Sequence, residues 1–177
     1  MKSSMFNVFA YLLSATCVFT FSSCSDDDEA QSADQPGQQE LIAQMLDEVR
    51  DITAAYHDYD AAMEAGWDTQ LSECVAHPEL GGMGYHYARM EYLDGRVNHL
   101  EPQILLYAPD EDGNMIFVGV EYVVPFEILS PEADPPMLFF HQYHQNEMQG
   151  IWALHVWTEK ENPSGTFFDW NPEVSCD

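Results

Sequence analysis

The chain has 177 residues, 46% of them hydrophobic and 13% aromatic, which suits one domain with a real core and is too apolar for a disordered chain. Its 5 Lys and Arg stand against 31 Asp and Glu, a formal charge of −26. Self-repulsion on that scale excludes nucleic acid and anionic headgroups as natural partners and favours cations or basic protein surfaces.

Residues 1–23 read as a secretory leader. Lys2 precedes an apolar run from Met5 to Phe21, and small residues then lead to Cys24. The run is at the short end for a transmembrane helix, and no cluster of Lys or Arg flanks it. Phe21-Ser22-Ser23-Cys24 resembles a bacterial lipobox, with Phe21 where Leu is usual. That resemblance implies lipid on Cys24 and attachment to a membrane through it. The "SDDDEA" that follows resembles the acidic tract that directs some Gram-negative lipoproteins to the outer face of the outer membrane, although a solvated tether has the same composition. Loss of residues 1–23 removes Lys2 and no acid, leaving 4 basic against 31 acidic groups and a formal charge of −27. Residues 24–37 form an acidic, flexible tether, and 38–177 form a single domain.

From Gln38 a helical period begins. Leu41, Met45, Val49, Ile52, Tyr56, Tyr59 and Met63 recur at three- and four-residue steps, Ile42 and Leu46 widen the stripe, and Gly66 stands where a left-handed cap belongs. The spacing predicts one long amphipathic helix with His57 on its solvent side. The period then changes to two. "GMGYHYA" reads as a strand, Gln103–Ala108 and Met115–Val124 as a hairpin, and "IWALHVWTE" (151–159) as a further strand. The Asp-x-Asp-Gly in the hairpin turn lacks a calcium loop's Glu, whose place is taken by Gly119, so turn chemistry accounts for it. Pro-rich residues 125–136 form a connection, 137–149 are predicted to hold a short helix, and the aromatic tail packs across the sheet. The fold class is α+β, an N-terminal amphipathic helix on a mostly antiparallel sheet whose expected curvature is barrel-like.

Cys17 leaves with the leader and Cys24 is taken by lipid. Cys74 and Cys176 remain as a single pair in an oxidising compartment and are predicted to form a disulfide. Thiolate binding of a metal is the rival reading, without a CxxC or neighbouring His to support it.

Strand alternation puts His155 with Ala153 and Trp157, and Glu121 with Phe117, Gly119 and Val123. Both faces of the Met115–Val124 strand are apolar, so Glu121 is a carboxylate inside a hydrophobic run. It must find a donor, a cation or a proton. His86 and His155, each alone on an apolar β segment, are the candidates to meet it. Two imidazoles and a carboxylate would suit a divalent metal such as Zn, Mn, Fe or Cu, or a proton-transfer pair with a raised Glu pKa. A Glu–His–Tyr network that only fixes the core is the competing reading. Neither HExxH nor a His-x-His pair is present. His141 and His144 would share one face of the predicted helix, a weaker chelating pair with Glu147, while His77 and His99 read as loop residues. There is no Gly-x-Ser-x-Gly, and Gly81-Gly82-Met83-Gly84 lacks the Lys of a phosphate loop.

The strings "GGMGYHY", "LLYAPDEDGNMIFVGVEYVVP" and "LHVWTEKENPSGTFFDWNPEVSC" resemble an uncharacterised family of secreted bacterial proteins, over a stretch from Trp67 to Cys176. The resemblance implies one compact extracytoplasmic domain and carries no activity and no catalytic residue with it. The expectation is therefore a lipid-anchored envelope protein that binds a small ligand or a metal ion in an aromatic-lined pocket. His86, Glu121 and His155 would point into that pocket, and Tyr85, Tyr87, Phe117 and Trp157 would line it. An enzyme with Glu121 as general base is the second reading. A non-catalytic module that docks its acidic face on a basic partner is the third.

Overall fold

The structure, a computed structural model, describes residues 36–176. The expected leader, the expected lipidation site Cys24 and nearly all of the expected tether lie outside these residues. No helix among those described is long and apolar enough to cross a membrane.

The predicted single helix is two. α1 spans Pro36–Thr53, a 3-10 turn follows over Ala54–His57, and α2 spans Tyr59–Glu64. Two side chains explain the break. Thr53 Oγ1 donates back to the Val49 carbonyl at 2.8 Å, and extended Asp58 accepts from the amides of Asp60 and Ala61, capping a new helix. The buried stripe of α1 is also rotated from the expected one. It runs through Leu46, Val49 and Thr53, flanked by Ile42 and Met45, and leaves Leu41 and Ile52 exposed. Gly66 takes the left-handed position, φ +103°, that ends α2.

Seven antiparallel strands form the main sheet: β1 (Thr69–Gln70), β2 (Val75–His77), β3 (Gly81–Ala88), β4 (Ile104–Pro109), β5 (Met115–Pro125), β8 (His144–Asn146) and β9 (Ile151–Val156). Their order is β1-β3-β4-β5-β9-β8, with β2 paired to β3 beside β1. The sheet is open, ending on β8 at one side, and the barrel-like form is not adopted. In the β4–β5 hairpin Asp110 Oδ1 accepts from the amides of Asp112 and Asn114, so its carboxylate is engaged in shaping the turn.

No helix forms over 137–149. Met137–Leu138 (β6) and His141–Gln142 (β7) make a small hairpin, and β8 then adds to the edge of β9. Its two turn residues, Phe139 and Phe140, both have positive φ, 52° and 60°. Such φ values suit a two-residue hairpin but are costly for aromatic residues. Phe139 is held there by burial against Tyr122 and Phe167, with ring centroids 5.7 and 5.6 Å away.

Each face of the sheet has a core. Against the helices lies an aromatic layer that includes Trp67, Tyr87, Tyr107, Phe117, Tyr122 and Trp152. The opposite face is built from smaller groups (Ala88, Ile104, Leu106, Ala108, Val118, Val123, Ala153) with Trp157 and Val174. The C-terminal segment covers it. Asn171 and Gly82 exchange two backbone hydrogen bonds of 3.0 Å, and a Cβ on Gly82 would lie 2.8 Å from Val174 Cγ1. The glycines of β3 are thus where the tail lies on the sheet, and Cys176, joined to Cys74 with S–S 2.04 Å, holds its end there.

Candidate metal centre

Three strands bring one residue each to this second face. Glu121 and His155 are direct cross-strand partners on β5 and β9, while His86 on β3 reaches over β4 from a row one pair away, opposite Leu106 and Gly119. His155 Nδ1 lies 3.5 Å from Glu121 Oε1, and His86 Nε2 lies 3.8 Å from Glu121 Oε2. The two imidazoles meet edge to face, centroids 5.4 Å apart. One ligand atom from each of the three residues lies within 4.8 Å of the others. The sequence expectation that these residues converge and the observed geometry agree.

The site is sealed: His86, Glu121 and His155 are 8%, 5% and 1% exposed. Burial decides the charge states. Glu121 is pushed up to about 8, by desolvation first and by the nearby Asp169 second. His86 is lowered to about 4 by burial, against a weaker pull from the Gly84 backbone, and His155 is driven well below the ordinary histidine range. The separations would suit ion pairs, yet in the protein alone all three groups are neutral near pH 7, because desolvation outweighs contacts that are longer than hydrogen bonds.

What singles out this cluster is that it is sealed and yet unsatisfied. Among the described residues, neither His155 Nδ1 nor Nε2 has a hydrogen-bond partner. Buried polar atoms of this kind are nearly always partnered, and an orphan calls for a cause. A resident cation would supply one. Bonds of 2.0–2.2 Å to nitrogen and oxygen place tetrahedral ligand atoms about 3.4 Å apart, close to the 3.5 and 3.8 Å of the two Glu121 contacts. The 4.8 Å that bounds the trio is wider, so the two histidine nitrogens would have to draw in around the ion. The cation would also take over the proton's role on Glu121, leaving a carboxylate and two neutral imidazoles, the two-His-one-carboxylate set of zinc and non-haem iron sites.

One outer hydroxyl orients His86, and an acid lies next to His155 without bonding it. Ser72 Oγ lies 3.1 Å from His86 Nδ1, which leaves Nε2 for the centre. Asp169 Oδ1 lies 3.8 Å from His155 Nδ1, and His144 Nε2 lies 3.3 Å from Asp169 Oδ2. Neither Ser72 nor Asp169 carries a pattern that would have marked it in the sequence, since each reaches the site from an irregular segment.

The expected aromatic lining is mostly absent. Trp157 does neighbour the site, its ring centroid 6.2 Å from that of His155. Tyr85 and Tyr87 alternate with His86 and so belong to the helix face, where Tyr87 meets Tyr59 and Tyr107 edge-on. Phe117 is on that face too, against His57 and Tyr107, because a bulge between Leu106 and Tyr107 shifts the register so that Phe117 pairs with Tyr107. The aromatic-lined pocket is therefore corrected to a buried polar cluster beside one indole. A cavity of about 510 Å³ between α1 and residues 164–168 is lined by other residues, and one of about 400 Å³ near Arg50 and Lys160 takes only Trp157 from the expected lining and none of the trio.

The remaining histidines lie outside the trio, and of them only His144 is linked to it, through Asp169. His141 donates from Nδ1 to the Phe139 carbonyl and stacks on Phe167 at 4.0 Å, while His144 faces Asp169, so the two form no chelating pair. His99 Nε2 contacts Glu48 at 2.6 Å, His77 Nδ1 accepts from the amides of Glu79 and Leu80, and His57 is exposed.

Comparison with protein-family models, with curated proteins and with solved structures finds no match for this chain. Function is read from the site itself.

Proposed function

We propose that this protein binds one divalent transition-metal ion through His86 Nε2, a Glu121 carboxylate oxygen and a His155 ring nitrogen. We propose further that it does so as a lipid-anchored protein of the outer membrane, tethered through Cys24 and facing outward. The observation that carries the metal reading is the pairing of near-complete burial with hydrogen-bond deficiency at His155. A core network would satisfy its own atoms, and a catalytic Glu–His pair would need access for a substrate that 1–8% exposure does not give. The acidic composition supports the same reading, since a field this negative raises the local concentration of cations.

The test is metal content by mass spectrometry of the full chain, extracted in detergent and purified without a polyhistidine tag. Wild type is expected to hold close to one equivalent, and His86→Ala, Glu121→Ala and His155→Ala to lose most of it while remaining folded. Wild type that stays metal-free after loading with Zn, Cu and Mn would defeat the proposal and return the trio to a core network.

A further inference from the structure

The three ligands are the inner part of a longer polar row. His144, on edge strand β8 with its side chain 43% exposed, contacts Asp169, whose side chain is 27% exposed. Asp169 contacts His155, His155 contacts Glu121, and Glu121 contacts His86. Beyond His86 the row ends on the neutral hydroxyl of Ser72. Only the His144 end presents an acid that touches both solvent and a ligand. The backbone around that acid is fixed: the Phe168 carbonyl accepts from Trp157 Nε1 and Asn162 Nδ2, and the Trp170 carbonyl accepts from Asn162 Nδ2. Asp169 is thus held between two pinned neighbours at the mouth of the site.

Resting on the metal reading above, we propose that Asp169 and His144 form the capture site through which a divalent cation enters, passing from the Asp169 carboxylate to His155 and then to the full trio. A hydrated ion must shed water before it reaches a sealed site. A half-buried carboxylate is the ligand that begins this, because it attracts the ion at range and replaces a first water. His144 adds a nitrogen donor 3.3 Å from the same carboxylate, on the solvent side. His155 is the next donor inward, 3.8 Å from Asp169. At the other end the row closes on the Ser72 hydroxyl, to which the outer His86 nitrogen is already bonded, and no carboxylate stands between them.

The experiment is stopped-flow binding of Co²⁺ to the detergent-extracted full chain, read by quenching of tryptophan fluorescence, since Trp157 neighbours His155. Asp169→Asn is expected to slow association about tenfold, in the range of electrostatic steering, and His144→Ala by a smaller factor. Release is expected to be no faster in either variant, and Gly37→Ala, in α1 with nothing within 4 Å, to associate at the wild-type rate. Association of Asp169→Asn and His144→Ala at the wild-type rate overturns the entry route, and so does accelerated release from Asp169→Asn, which would make Asp169 a resident ligand. Equilibrium dialysis separates the two levels. Wild type that takes up no Co²⁺ sinks the metal reading itself, whereas uptake with unchanged rates sinks the entry route alone.

Discussion

At the scale of single residues, the buried trio ties stability to pH and, on the proposed metal reading, affinity with it. Glu121 has a folded pKa near 8, above its usual 4.5, so its contribution is full below pH 4.5 and is lost as pH rises to 8. His86 and His155 are shifted the other way, and their contribution is full above 6.5 and is lost as pH falls, through about 4 for His86. In chelator the protein should therefore be most stable near pH 6.5, and the alkaline limb belongs to Glu121 alone. From pH 6.5 to 8 the loss is about 2 kcal/mol, or about 5 °C in melting temperature. Glu121→Gln keeps the shape and removes the proton, so thermal melts in EDTA should show no such limb in that variant. An equal alkaline loss in Glu121→Gln would refute the assignment. Metal affinity follows the same proton: with one proton displaced from Glu121, it should rise about tenfold per pH unit between pH 6 and 8 and level off above.

At the scale of elements, alternation on β3, β5 and β9 made the trio legible, because a strand period of two and three lone polar residues on apolar runs suffice to predict convergence. The bulge at Leu106/Tyr107 was not legible, since it reflects backbone fit between β4 and β5 rather than any residue pattern, and it moved Phe117 to the other face. Tyr85 and Tyr87 were a different kind of miss, for alternation already placed them opposite His86. The break after Thr53 depended on Asp58 preferring a cap to a polar helical site, which tertiary packing decides. Gly119 shows how tightly the β5–β9 pair is drawn: a Cβ there would lie 2.4 Å from the Val156 carbonyl oxygen. Gly119→Ala should cost about 1–3 kcal/mol by overpacking and, two residues from Glu121, should also lower metal occupancy. Gly37→Ala, in α1 with nothing within 4 Å, is the control and should be neutral or stabilising. Melts and metal content measured on both variants decide the matter, and equal behaviour of the two would show that the strand pair can relax.

At the scale of the molecule, the second face of the sheet exists because the tail covers it. The two cysteines were legible from count and compartment, but nothing in the pattern showed that their bridge pins a cover over a site. The Cys74–Cys176 link spans 102 residues, and on a chain-entropy estimate its loss costs at most about 4–5 kcal/mol. Cys74→Ser should therefore lower the melting temperature by about 10 °C. Its second effect is local. With Cys176 freed, the tail loses its covalent anchor, while Val174, the Asn171–Gly82 bridge and the Asn171 side chain on the Glu161 carbonyl still hold it to the sheet face. Tail opening should become frequent well below the melting temperature, and release of bound metal to a chelator at 25 °C should quicken by far more in Cys74→Ser than in Gly119→Ala. Global stability cannot mimic this, because a protein that is still folded releases metal through local opening, not through unfolding. Release that stays slow in Cys74→Ser despite a lowered melting temperature would show that the sheet, rather than the tail, closes the centre.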